Sequence, residues 1–264
     1  MSEKKIDLAI KNKIATITIV DPENYNPLNK ETGKQLLDVL ESLRDNSDIR
    51  CIIITGSGKA FSAGGNIKEF KLSIENGTPG QLMDDLTKIL YKIALVLRLY
   101  PKPVIAAVNG WAVGAGMNLA LSCDFIIASE YARFRQSFVK LALIPGFAGT
   151  ILLSHQLTWQ QAIQMAFFGE TYSAEEMKKL GLVNEIVPAE KLEEVSLQWA
   201  QRFAKGPTLT YARTKKLFFD ALSTPLEDHL ENERQMQIKS AESEDYKIGV
   251  FALIDKKEPN FIGK

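Results

Sequence analysis

The chain has 264 residues, 45% hydrophobic and 24% charged, which is enough apolar material for one sizeable core or for a core with a small accessory unit. Thirty-two basic residues balance thirty-two acidic ones, so no net field draws the whole molecule to nucleic acid or to an anionic membrane, and any anion site must be local. The start MSEKKIDLAI lacks the apolar core of a secretory signal, and no segment approaches the roughly 18 uninterrupted apolar residues of a membrane helix. The expectation is a soluble, cytoplasmic protein with no nucleic-acid or membrane partner.

IDLAIKN and IATITIV alternate apolar and polar residues across a short polar break, as two neighbouring strands of a half-buried sheet would. PLNKETGKQLLDVLESLRDN then sets Leu36, Leu37, Leu40 and Leu43 at helical spacing, and CIIITG follows as a β-branched run suited to burial on both faces of a sheet. The same order returns in KPVIAAVNG, a helix, and DFIIAS, with Pro101 and Pro103 marking the end of the preceding helix. Such alternation predicts an α/β layered core. Cys51 and Cys123 lie inside apolar runs, which fits small buried hydrophobes better than a disulfide or a metal ligand, and no metal site is expected.

From about Pro188 the β-rich runs disappear. AEKLEEVSLQWAQRFA, TLTYARTKKLFFDAL, PLEDHLENERQMQIKSA and SEDYKIGVFALIDKK read as amphipathic helices, punctuated by Gly206-Pro207 and Thr224-Pro225. The predicted division is a core over 1–200 and a helical region over 201–264.

Two glycine-bearing turns stand out. TGSGKAFSAGGNIKEF puts Ala63, Gly64 and Gly65 where a helix begins, and NGWAVGAGMNLA does the same with Gly114 and Ala115 after the next buried strand. Backbone N–H groups at a helix start favour negative charge, and without side chains they can approach a ligand closely. Two such turns facing one another would stabilise a carbonyl oxygen as it gains charge. Glycine turns also serve simple close packing, so the local pattern leaves both readings open.

FSAGGNIKEF is similar to the motif written FSAGADIKEM, and PVIAAVNGWAVGAGMNLALSCDFIIAS resembles the second signature of the enoyl-CoA hydratase/isomerase family, the crotonases. SAEEMKKLGLVNEIV and YKIGVFALIDKKEPNF match it too, so the likeness runs from about Ile6 to the C-terminus. The resemblance implies an α/β crotonase-like spiral of ββα repeats with a helical C-terminal trimerisation region, in a homo-oligomer that is a trimer or a dimer of trimers. It implies an acyl-CoA thioester as substrate, with coenzyme A part of that substrate and no other cofactor. By position, the oxyanion donors are the N–H groups of Gly65 and Ala115. Adenine maps to Ala60, Ser62, Ala63 and Ile67, and the phosphates to Lys68 and to Lys256 from a neighbouring subunit. Tyr25 occupies a first-loop position often basic in the family.

The chain departs from the family where protons are handled. Members that hydrate an enoyl thioester use two glutamates, and here those positions are Asn118 and Phe138. FVKLALIPGFAGT resembles most the phenylacetyl-CoA-type ring isomerases, which place an aspartate after LIP, where this chain has Gly146. A positioned acid or base is worth about 10²- to 10⁴-fold and an oxyanion donor about 10² to 10³. The residues thus predict a protein that binds and polarises a thioester but adds water slowly.

Asn118 either orients a water or substrate carbonyl or caps nearby backbone, and Phe138 and Phe147 either shape an acyl pocket or simply fill the core. Asp84, Asp85, Lys88 and Tyr91 are substitute proton carriers by resemblance, or else the wet face of a helix. Arg135, beside the empty acid position, can meet an anionic acyl group. His155 and His229 read as solvated or interface residues, and Asp124 as a structural carboxylate. The expected activity is enolate stabilisation with isomerisation of an enoyl-CoA. Decarboxylation, weak hydration, and acyl-CoA binding without turnover are the alternatives.

Overall fold

The computed structural model describes residues 3–264. Strands β1 (Ile6–Lys11) and β2 (Ile14–Ile19) form an antiparallel hairpin. Its two turn residues, Asn12 and Lys13, both have positive φ (52° and 65°), the geometry whose twist matches the flanking strands. The pair is less evenly buried than its alternation predicts: β2 is largely inside, whereas β1 is an edge strand that buries Ile6 and leaves Leu8 and Ile10 exposed. An edge has a neighbour on one side only, so alternation there does not guarantee cover.

Asn29 caps helix α1 (Lys30–Arg44) by accepting from Thr32 N–H, and its Leu36, Leu37, Leu40 and Leu43 face the core. Then a pattern repeats: a long strand, a short strand and a helix. β3 (Cys51–Gly56) and β4 (Ala60–Ser62) lead to α2 (Ile67–Glu75) and α3 (Pro79–Arg98). β5 (Val104–Val108) and β6 (Trp111–Val113) lead to α4 (Ala115–Ser122). β7 (Phe125–Ser129) and β8 (Arg133–Arg135) lead to α5 (Gly149–Gln156) and α6 (Trp159–Phe168). β9 (Thr171–Ser173), α7 (Ala174–Lys179) and β10 (Glu185–Val187) close the spiral.

The five long strands and the short β10 build a six-stranded sheet in the order β1-β2-β3-β5-β7-β10, parallel from β2 onward, and the other short strands a four-stranded sheet in the order β4-β6-β8-β9. Residues of β3 alternate between two cores: Ile52 and Ile54 face α1 and α3, while Cys51 and Ile53 face the opposite side. Helix α8 (Leu192–Lys205) covers that side with Leu192, Ala200 and Ala204, and its Phe203 stacks on Phe125 at 4.8 Å between ring centres. Both cysteines are free and buried, and burial pushes their thiols well above the usual range.

The chain ends in α9 (Thr208–Asp220), α10 (Leu226–Ala241) and α11 (Glu244–Ile254). None of the residues of α10 is buried, and its Leu226 and Leu230 are exposed. No helix among the described residues is long and apolar enough to cross a membrane.

Candidate active site

The two glycine turns occupy equivalent places in successive repeats, one between β4 and α2 and the other between β6 and α4. Parallel pairing of β4 with β6 sets them side by side. Gly64 (φ 79°) and Gly114 (φ 54°) hold backbone conformations that L side chains rarely adopt. A methyl group on Gly64 would stand 2.5 Å from Val113 O and 3.0 Å from Ala115 N, and one on Gly116 would overlap Ser62 O. The turns therefore touch backbone to backbone, with no side chain between them.

Neighbouring amides are occupied. Ala63 N–H donates to Tyr25 O, Gly64 N–H to Ser62 Oγ and Gly114 N–H to Arg135 O. Among the described residues, no protein acceptor takes the N–H of Gly65 or of Ala115. Ala115 opens helix α4, so its amide is one of the donors a helix start leaves without an internal partner.

Both residues line a cavity of about 540 Å³ whose walls are mainly apolar, with Phe70, Leu86, Leu90 and Phe138 among them. Ala63, Ile67, Lys68 and Gly146 line it as well. At one exposed end Lys68 Nζ donates to Asn24 Oδ1 at 3.0 Å, beside Tyr25. Ala60 and Ser62 are buried in β4 beneath the cavity, with Ala60 O accepting from the Asn26 amide at 2.7 Å. Lys256 follows α11 and does not reach the cavity within one chain.

Asn118 is fully buried and stands behind the wall. Its Nδ2 donates to Gly146 O at 2.7 Å, and its Oδ1 accepts from Gln136 Nε2 at 2.6 Å. A carbonyl can only accept, so the amide's orientation is fixed by its partners. The loop it holds contains Phe147 and Ala148, both left-handed (φ 52° and 56°), a strained pair costing roughly 1–3 kcal/mol at each residue. Gly149 leaves room for this arrangement, since a methyl there would overlap Asn118 Nδ2.

The ring of Phe138 spans from the second turn to this loop: methyls on Gly114 and Gly146 would lie 3.7 Å and 3.4 Å from it. The hydroxyl of Tyr91 lies 3.7 Å from that same point at Gly146. Of the four α3 candidates, Tyr91 alone lines the cavity. Asp84 pairs with Lys88 and Asp85 with Lys30 on the exposed face. His155 lies on α5 and His229 on α10, both outside the cavity. Asp124 accepts from Val104 N–H and from Lys215, each at 2.8 Å, tying β5 to α9. Two features were missed from sequence: the Gln136 clamp on Asn118, and Lys140 in the wall. Neither carries a spacing signal, because its partner is set by the turn after β8.

The sequence profile described as enoyl-CoA hydratase/isomerase matches residues 9–264. A Rhodobacter capsulatus protein named a probable enoyl-CoA hydratase is 36% identical over the whole of both chains. The 1,2-epoxyphenylacetyl-CoA isomerase of Escherichia coli is 34% identical, covering 97% of each. The crystal structure of an enoyl-CoA hydratase from Polaromonas sp. superposes with a TM-score of 0.92 at 30% identity, covering 97% of this chain and 99% of that one. With the interlocked turns and the repeated ββα units, this coverage establishes that the chain belongs to the enoyl-CoA hydratase/isomerase family.

Proposed function

We propose that the protein processes acyl-CoA thioesters by holding the thioester oxygen between the N–H groups of Gly65 and Ala115, and that it isomerises an enoyl group instead of hydrating it. The observation that carries this is the backbone contact between the two turns, at the wall of a mainly apolar cavity where both amides are unengaged. Such donors stabilise the enolate that forms when a proton leaves the α-carbon. The cavity supports rearrangement over hydration because its lining includes a single acidic residue, Glu23, near Lys68 at the exposed end. Tyr91 is the proton carrier of this reading: its oxygen faces the space that Gly146 leaves open, and the proton it takes from the α-carbon is returned at the γ-carbon. Lys68, and Lys256 from a neighbouring subunit, serve the coenzyme A phosphates, and the helical region from residue 201 builds the oligomer.

Solvent deuterium uptake at the α-carbon across a panel of acyl-CoAs tests the assignment. Exchange with at least one is expected; its absence with all would refute the enolate chemistry. That Glu23 alone among the described residues brings a carboxylate to the cavity also favours a second reading, in which loss of carbon dioxide generates the enolate and no base is needed. Release of carbon dioxide from malonyl- or glutaconyl-type thioesters distinguishes it.

A further inference from the structure

Arg135 and Lys140 both line the cavity and both approach Gly169, and neither has a carboxylate within ion-pair distance among the described residues. Arg135 is half-buried at the end of β8. Its Nε donates to Gly169 O at 2.8 Å, which anchors the guanidinium and leaves the two Nη groups for another acceptor. Lys140 approaches the same glycine: a methyl group on Gly169 would stand 3.6 Å from Lys140 Cε.

A half-buried guanidinium without a counter-charge, with an ammonium nearby, is an unfavourable arrangement that an incoming anion would relieve. The single acidic residue of the lining, Glu23, belongs with Lys68 and Tyr25 on a different segment. Arg135 and Lys140 instead flank Ser137 and Phe138, the stretch whose ring faces Gly146 and the second turn.

We infer that the acyl group is itself anionic: a thioester of a dicarboxylic acid, its free carboxylate held by the Nη groups of Arg135 with Lys140 alongside. This rests on the thioester reading above and specifies its substrate class. The planar guanidinium fork suits a carboxylate, and such charge-assisted pairs are the stronger hydrogen bonds of proteins.

Glutaryl-CoA and pentanoyl-CoA provide the test, because their acyl groups have equal carbon number and differ by the terminal carboxylate. Titration calorimetry on the intact protein is expected to show glutaryl-CoA binding about tenfold tighter or more. Arg135→Gln should bring the ratio of the two affinities close to one, Arg135→Lys should restore part of it, and Lys140→Gln should reduce it by a smaller factor. Equal affinities in the unaltered protein would overturn the inference, as would a ratio that survives Arg135→Gln. Parallel weakening of both ligands would also overturn it, since the guanidinium would then serve the coenzyme A phosphates that both share. If neither ligand binds the unaltered protein, the thioester reading itself falls. Should Arg135→Gln fail to fold, the unaltered ratio and the exposed Lys140→Gln variant decide.

Discussion

Asn118 Nδ2 donates to the carbonyl of Gly146 across 2.7 Å, which commits to loop support a position where hydrating relatives are expected to carry a glutamate. A glutamate here would turn a carboxylate oxygen toward a carbonyl oxygen, in a space so tight that a methyl on Gly149 would collide. Asn118→Glu should therefore lower the melting temperature and leave crotonyl-CoA hydration no faster. Asn118→Ala should cost about 1–3 kcal/mol in denaturant unfolding by stranding buried polar partners. A large gain in hydration by Asn118→Glu would show that the site is open to water after all.

The contact between Gly116 and Ser62 O offers a direct probe of the interlocked turns. Gly116→Ala places a methyl where a backbone carbonyl already lies, so the turns must separate. Loss of α-carbon exchange together with reduced thermal stability is expected. Full exchange in a stable Gly116→Ala variant would mean that turn spacing is immaterial to the chemistry.

Tyr91→Phe keeps the ring and removes the hydroxyl that faces Gly146. If that hydroxyl hands a proton to the enolate, α-carbon exchange falls about 10²-fold while acyl-CoA affinity is retained. Equal loss of affinity and exchange would reassign Tyr91 to binding.

Acid should loosen the segment carrying Tyr25. Burial alone raises the Asp21 carboxyl, but the Lys5 ammonium at 2.9 Å and the Asn24 amide at 2.8 Å outweigh it and hold the group below the usual carboxylate range. A depressed carboxyl stabilises the fold above its unfolded value, about 3.9, and that contribution is lost as pH falls through the folded value. Melting curves from pH 7 to well below the unfolded value of about 3.9 should therefore show an acid-side loss that Asp21→Asn reduces, at the price of lower stability at pH 7. An unchanged acid limb in Asp21→Asn would assign the loss elsewhere.

The fold was largely legible because its inner strands β3, β5 and β7 are apolar on both faces, as Ile52 and Ile53 of β3 show by entering opposite cores. The three-residue strands β4, β6 and β8 were not, since so short a run carries no periodicity, and they are what bring the glycine turns together. Gly65 and Ala115 could be placed from motif likeness, because backbone donors survive changes of side chain. The environment of Asn118 could not: Gln136 and Gly146 lie 18 and 28 residues away, joined to it by a turn and a left-handed loop. The Arg135 link to Gly169 spans 34 residues and was hidden for the same reason.

Helix α10 has a further consequence. With every residue at least partly solvent-accessible, and leucines at its start facing water, it gains little from its own chain beyond α9 and α11. Burial of those leucines by another copy would tie the order of the last quarter of the molecule to how much protein is present. Hydrogen exchange across residues 226–241 should then quicken on dilution, while exchange in β3 and β5 stays slow.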